Sequence, residues 1–334
     1  MLEAVPPADQ ELLTEPEAQR IARTAEDVVQ EVARVVEGKP RAIRLAMTVL
    51  LADGHLLLED VPGVGKTLLA KALAAALGAR RARIQFTPDL LPGDVTGASV
   101  LDPTTGAFSF RPGAVFTHIL LADEINRASP KTQSALLESM EERQVSVDGE
   151  TYVLESPFMV VATANPVEME GTYHLPEAQR DRFLAQTSLG YPAHDAELRM
   201  LAVQTGPLAA AAREAADEIR ARTSPEQIAA DIRSIRRVHA SPALLDYVVR
   251  LAAGTRDHGQ VVLGASPRAT VHLVRMLKAR AAMEGRVFVL PEDVRGVIGP
   301  VWRHRLHLAP QALSRGVSAA DVLRDVLAST PLER

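Results

Sequence analysis

The chain contains no cysteine. Disulfides and thiolate metal sites are therefore excluded. Aromatic residues make up only 4%, with a single tryptophan, so a platform of stacked rings for single-stranded nucleic acid is not expected. Basic charge is also short. Lys and Arg number 37 against 42 Asp and Glu, for a formal net charge of -5. Proteins that grip nucleic acid by its phosphates carry a basic face, and the average balance here points away from that class. Long apolar runs are missing as well. Segments 48–52 and 158–162 are far too short to cross a bilayer. The first ten residues carry acids and prolines with no apolar core, unlike a secretory leader. These absences predict a cytoplasmic protein that neither inserts into membranes nor binds nucleic acid.

What is present is ordinary globular material: 334 residues, 47% hydrophobic and 24% charged, enough for about two domains. Residues 1–13 read as a flexible tail. Thr14-Glu15-Pro16-Glu17 has capping-box spacing, and Ile21, Val28, Val29, Val32 and Val36 follow at helical intervals. A second helix is expected over 42–52. Short apolar runs at 55–59, 83–86, 118–122 and 158–163 read as strands, separated by helices over 67–77 and from Ser129-Pro130 to about 142. That alternation predicts a parallel sheet with right-handed crossovers. Two hairpins are expected as insertions, one pairing 98–101 with 107–110, the other pairing 144–147 with 151–154 through Asp148-Gly149. Beyond about 195 no strand-like run appears. Helices start at Ser224-Pro225, Ser241-Pro242, Ser266-Pro267 and Ser318, each serine an N-cap candidate. The expected layout is α/β over 14–195, then all-α over 196–334.

Val61-Pro62-Gly63-Val64-Gly65-Lys66-Thr67 follows a strand and opens a helix, the context a phosphate-binding P-loop requires. Glycines at 63 and 65 let backbone N–H groups face phosphate oxygens, and the helix contributes its positive dipole end. Lys66 neutralises phosphate charge in such a loop and Thr67 ligates Mg²⁺. The candidate nucleotide-binding residues are Pro62, Gly63, Val64, Gly65, Lys66, Thr67 and Leu68. Asp60 stands where the consensus begins with glycine. A carboxylate aimed at phosphates would repel them, so its side chain is expected to turn away. Ile119-Leu120-Leu121-Ala122-Asp123-Glu124 is an apolar strand ending in two acids. With Thr67, Asp123 is a candidate Mg²⁺ ligand, and Glu124 a candidate base for the attacking water.

Three segments together resemble the MoxR family of AAA+ ATPases: Asp123-Glu124-Ile125-Asn126-Arg127-Ala128, Leu90-Leu91-Pro92-Gly93-Asp94-Val95-Thr96-Gly97, and Gly264-Ala265-Ser266-Pro267-Arg268-Ala269. The resemblance spans about 14–327. It implies a P-loop AAA+ core with a parallel sheet flanked by helices, followed by an all-α lid, hydrolysing ATP with Mg²⁺. By that resemblance Asn165 is similar to sensor 1, placing the water against the γ-phosphate. Arg182, in Asp181-Arg182-Phe183, is similar to the arginine finger offered to a neighbouring subunit, with Arg180 a second candidate. Arg268 is similar to sensor 2, expected to touch the nucleotide in cis. The resemblance also implies a homo-oligomeric ring, expected to be a hexamer, and chaperone-like remodelling of partners that include proteins with a von Willebrand factor A domain. A motor subunit of a metal-insertion complex, as in magnesium chelatase, and a nucleic-acid-associated motor or transcriptional activator are the alternatives. Glu138, Glu141 and Glu142 read as a solvated helix face, Trp302 as core, and a His304/His307 metal pair lacks a third ligand.

Overall fold

Thr14 and Glu17 cap each other as their spacing predicts, the Thr14 N–H donating to the Glu17 carboxylate at 2.9 Å. Helix α1 (Glu15–Ala33) buries Ile21, Val28, Val29 and Val32 along one face, against α2 (Pro40–Leu51) and other elements. The computed structural model describes residues 12–61, 63–104, 106–165, 175–191, 194–195, 197–198, 201 and 219–332. Most of the expected tail, residues 1–11, and Pro62 of the phosphate loop lie outside the described residues. Leu13, assigned to the tail, is instead buried and donates its N–H to Arg237 O at 3.2 Å. A leucine just before an N-cap can pack as part of the helix, which a polar-looking flank conceals.

The chain continues through β1 (Leu56–Glu59), α3 (Lys66–Ala76), β2 (Arg81–Gln85), α4 (Pro92–Thr96), the hairpin β3 (Gly97–Leu101) and β4 (Phe108–Pro112), then β5 (Ile119–Asp123), α5 (Pro130–Glu142), the hairpin β6 (Gln144–Val147) and β7 (Glu150–Val153), β8 (Met159–Ala164), α6 (Glu177–Arg180) and β9 (Ala185–Thr187). Five strands form a parallel sheet in the order β2-β5-β8-β1-β9. Strands β5 and β8 are buried along their whole length, as parallel strands covered on both faces are. Alternation sends Leu56, Leu58, Leu121 and Val161 into one apolar cluster and Leu57, Leu120, Val160 and Ala162 into another. The first cluster continues into the C-terminal helices through Leu273, Met276, Val301 and Trp302. The two hairpins touch: Phe110 stacks on Tyr152 with ring centroids 3.9 Å apart.

The C-terminal lid comprises α7 (Pro225–Ile235), α8 (Pro242–Arg256), β10 (Val261–Leu263), α9 (Pro267–Met283), α10 (Pro291–Trp302), β11 (His307–Leu308), α11 (Pro310–Ser314) and α12 (Ala319–Ser329). Ser224, Ser241, Ser266 and Ser318 each cap a helix through the side chain. The all-α expectation needs one correction, since β10 and β11 pair antiparallel. Strands of three and two residues are too short to show an alternating pattern. Trp302 is core, its indole N–H donating to Ala269 O at 3.0 Å. Among the described residues, no helix is long and apolar enough to cross a membrane.

Candidate active site

A parallel sheet gathers all its strand C-termini on one edge. Here β1 runs into the glycine loop, β8 into Asn165 and β5 into Asp123 and Glu124, with β8 between the other two. Gly63 and Gly65 adopt φ of +83° and +96°, a left-handed backbone that an L side chain would strain. Helix α3 starts at Lys66, whose ammonium donates to Asp60 O at 2.8 Å. The Asp60 carboxylate turns to the connection after β9, accepting from Leu189 N at 2.6 Å, Gly190 N at 2.8 Å and Ser188 Oγ at 3.1 Å. Lys39 holds the same connection by donating to Leu189 O, Gly190 O and Tyr191 O. The acid that replaces the consensus glycine thus ties the start of the phosphate loop to the strand that leads out of the sheet.

Asp123 is 7% exposed, and a carboxylate so buried needs a cation or donors. Arg83 supplies the cation, with Nε 2.7 Å from Asp123 Oδ2. Thr163 donates to Asp123 Oδ1 at 3.2 Å and accepts the Glu124 N–H at 2.9 Å. Glu124 sits at a φ of +56°, so the chain turns there. Its Oε2 accepts from Gln85 Nε2 at 2.6 Å and from Arg127 at 3.0 Å. Asn165 is buried at the end of β8, and Asn126 Nδ2 reaches its carbonyl at 3.5 Å. Thr67 and Arg83 line one cavity of about 250 Å³, so the P-loop helix and the partner of Asp123 face the same space. The Thr67 hydroxyl and the Asp123 carboxylate are oxygen donors of the kind a hard divalent ion such as Mg²⁺ takes.

Arg182 and Arg268 lie elsewhere. Leu184 N donates to His55 O at 2.9 Å, which puts the segment that carries Arg182 at the N-terminal end of β1, opposite the glycine loop. Arg182 Nε lies 2.9 Å from Glu141 Oε2, and Arg268 bonds the other oxygen of the same carboxylate. A pocket of about 280 Å³ is lined by Asp53, Glu141, Arg143, Arg182, Arg268 and Arg275, among others. Arg268, expected to touch the nucleotide in cis, thus stands beside Glu141 and Arg182 rather than beside the glycine loop of its own chain. The length of β1, roughly 13 Å at the usual strand rise, separates it from the glycine loop of its own chain, because α9 docks its first turn on the far sheet edge. Arg180 is turned instead to Gln186 Oε1 at 3.4 Å.

Arg305 fixes this edge. It is buried and donates to Asp181 Oδ1 at 2.6 Å, to Asp181 O at 3.0 Å, and to Phe183 O and His272 Nδ1, both at 2.6 Å. Burial first, then the Arg305, Arg275 and Arg268 guanidinium groups, push the His272 pKa down to about 2, so its ring is neutral and accepts. His304 hydrogen-bonds to Phe183 O and His307 pairs with Glu177, so these two histidines serve packing and surface charge. Sequence reasoning missed Gln85, Arg83, Thr163, Glu141 and Arg305. Only Thr163 left a signal, as a hydroxyl near the end of an otherwise apolar strand. The others act through register and docking that a single sequence does not display.

Residues 55–185 match the family described as ATPase family associated with various cellular activities (AAA), and 253–326 match the AAA lid domain. The fold and this site define an AAA ATPase, an ATP-hydrolysing enzyme. The chain is 42% identical to Chaperone MoxR1 of Mycobacterium tuberculosis, over 92% of this chain and 82% of that protein. It is 35% identical to Protein MoxR of Paracoccus denitrificans, over 89% and 92%, and 44% identical to the uncharacterized protein YeaC of Bacillus subtilis, over 92% and 94%. The chain belongs to the MoxR family of AAA+ ATPases. A candidate ATPase of Cytophaga hutchinsonii superposes with a TM-score of 0.87 at 35% identity, covering 96% of this chain and 98% of that one.

Proposed function

We propose that this chain hydrolyses Mg²⁺-ATP at the boundary between adjacent copies of itself in a closed ring, and that turnover drives chaperone-like remodelling of partner proteins. The observation that carries this reading is the division of the candidate residues between two opposite sheet edges. Lys66, Thr67, Asp123, Glu124 and Asn165 occupy one edge. Arg182 and Arg268 occupy the other, at one shared carboxylate. Neither group alone is a complete phosphoryl-transfer site. In a ring the second edge of one copy meets the first edge of the next.

In this reading the backbone N–H groups of 63–67 and the ammonium of Lys66 hold the phosphates. Thr67 and Asp123 hold Mg²⁺, which when bound supplies positive charge at the phosphate oxygens. Arg83, paired with Asp123 here, would share that carboxylate with the ion. Glu124, oriented by Gln85 and Arg127, takes a proton from the attacking water while Asn165 positions that water. The new P–O bond forms as the bond to the ADP oxygen breaks, and Glu124 returns its proton to the released phosphate. Arg182 and Arg268 of the adjacent copy face the charge that develops on the transferring group. A hexameric assembly and partners with a von Willebrand factor A domain follow from the family resemblance, and a cytoplasmic setting is in keeping with the sequence's lack of cysteine. Capture on a Glu124→Gln variant, which holds nucleotide without turning it over, identifies the partners.

The test uses mixed assemblies. Glu124→Gln and Arg182→Ala subunits, each nearly inactive alone, regain part of the ATPase rate when mixed, because some boundaries then pair an intact Glu124 with an intact Arg182. Mixed rings shown to form by native mass spectrometry and yet wholly inactive would overturn the shared-site reading.

A further inference from the structure

Glu141 lies in the last turn of α5 on what the sequence presents as a solvated acidic face, beside Glu138 and Glu142. In the fold it does something more specific. One of its carboxylate oxygens meets Arg182 Nε at 2.9 Å, and the other meets the Arg268 guanidinium. The two arginines come from different parts of the chain, one from the turn before β9 and one from the first turn of the lid helix α9. Left to themselves, two guanidinium groups at one pocket mouth repel, and a cation in a helix first turn is further disfavoured by the helix dipole. A single carboxylate bridging both offsets each of these costs and sets the two groups side by side. The surroundings cannot substitute for it. Arg143 and Arg275 line the same pocket and add like charge, while Asp53, the pocket's other acid, is already engaged by Arg143 and Arg236.

We propose that Glu141 is a positioning residue, which gathers Arg182 and Arg268 of one copy into a paired cationic fork that receives the terminal phosphate bound to the adjacent copy. This rests on the reading that both arginines act across the boundary. The Glu141 side chain is one-third exposed and its partners similarly so. Exposed ion pairs contribute little to folding, so substitution is expected to leave the fold and assembly intact and to act on chemistry.

The experiment measures steady-state ATPase rates and assembly of Glu141→Ala, Glu141→Gln and Glu141→Asp beside Arg182→Ala and Arg268→Ala. Misplacing catalytic groups by about 1 Å costs up to ~100-fold in rate. Glu141→Ala should therefore lose about 10- to 100-fold in kcat, with KM for ATP little changed, since the phosphate-holding residues belong to the other copy. Glu141→Asp, which keeps the charge, should recover part of the rate, and Glu141→Gln less. Mixed with Glu124→Gln subunits, Glu141→Ala subunits should regain activity as Arg182→Ala subunits do. If Arg182→Ala and Arg268→Ala lose activity but both Glu141→Ala and Glu141→Gln retain full kcat, the inference falls and the boundary reading stands. Failure of Glu141→Ala to complement Glu124→Gln, where Arg182→Ala does complement it, equally overturns the inference. If neither arginine variant loses activity, the boundary reading falls and this inference with it.

Discussion

Single side chains decide how the two acids of this site are presented. Thr163 uses one hydroxyl twice, donating to Asp123 and accepting the Glu124 N–H. It therefore fixes both the Asp123 carboxylate and the backbone turn at Glu124. Thr163→Val preserves shape and removes both bonds. The Glu124 N–H and an Asp123 oxygen then lose their partner, at a cost of about 1–3 kcal/mol of stability. The expected outcome is a lower thermal midpoint together with an ATPase rate reduced about tenfold or more, measured on the assembled protein. A rate equal to wild type would remove Thr163 from the site. Glu141 belongs at this scale too. Its type and position were visible in the sequence, but its two partners, 41 and 127 residues away in the chain, were not.

At the scale of elements, Arg305 ties the lid to the segment that carries Arg182. Its guanidinium satisfies carbonyls of Asp181 and Phe183 and pairs with the Asp181 carboxylate, all on the segment that carries Arg182. Arg305→Leu leaves Asp181 without its buried partner, and breaking such a pair costs about 3–5 kcal/mol. The variant should show a clearly lowered unfolding midpoint, and in any fraction that still assembles, a loss of kcat like that of Arg182→Ala. Unchanged stability would show that the lid is held to the core by its apolar contacts alone. Asp60 makes the corresponding link on the other edge, between the phosphate loop and the connection at 188–190. Most elements were legible in advance. The capping serines, the apolar runs of β5 and β8 and the Asp148-Gly149 turn are local signals, and the structure places elements where they point. Strand β9 was not foreseen, since Ala185-Gln186-Thr187 is three residues long with no apolar alternation, and it pairs with β1.

Over the whole molecule, buried histidines give stability a definite pH dependence. Burial, then Arg143, holds His55 well below its ordinary value of 6.5, and burial, then Arg305, does the same for His304. His272 is pushed to about 2. Above pH 6.5 these rings are neutral in both the folded and unfolded chain, and they add no pH dependence. Below it the unfolded chain takes up protons that the folded chain refuses, so stability falls as pH falls. Each ring contributes up to about 1.4 kcal/mol per pH unit. Thermal unfolding followed from pH 7.5 to 5.5 should show the midpoint steady at first and then dropping below about 6.5. A midpoint unchanged at pH 5.5 would mean that these rings accept protons within the fold.

The sequence by itself determined the phosphate loop, the acidic pair, the parallel core and the family, because each is written in neighbouring residues whose backbone demands are local. The tertiary structure alone decided that Arg268 joins Arg182 on the far sheet edge, that Asp60 binds the connection after β9, and that Glu141 bridges two arginines. Those outcomes depend on how the lid docks against the core and on strand register. Both are set by burial summed over many distant side chains, so no short stretch of sequence encodes them.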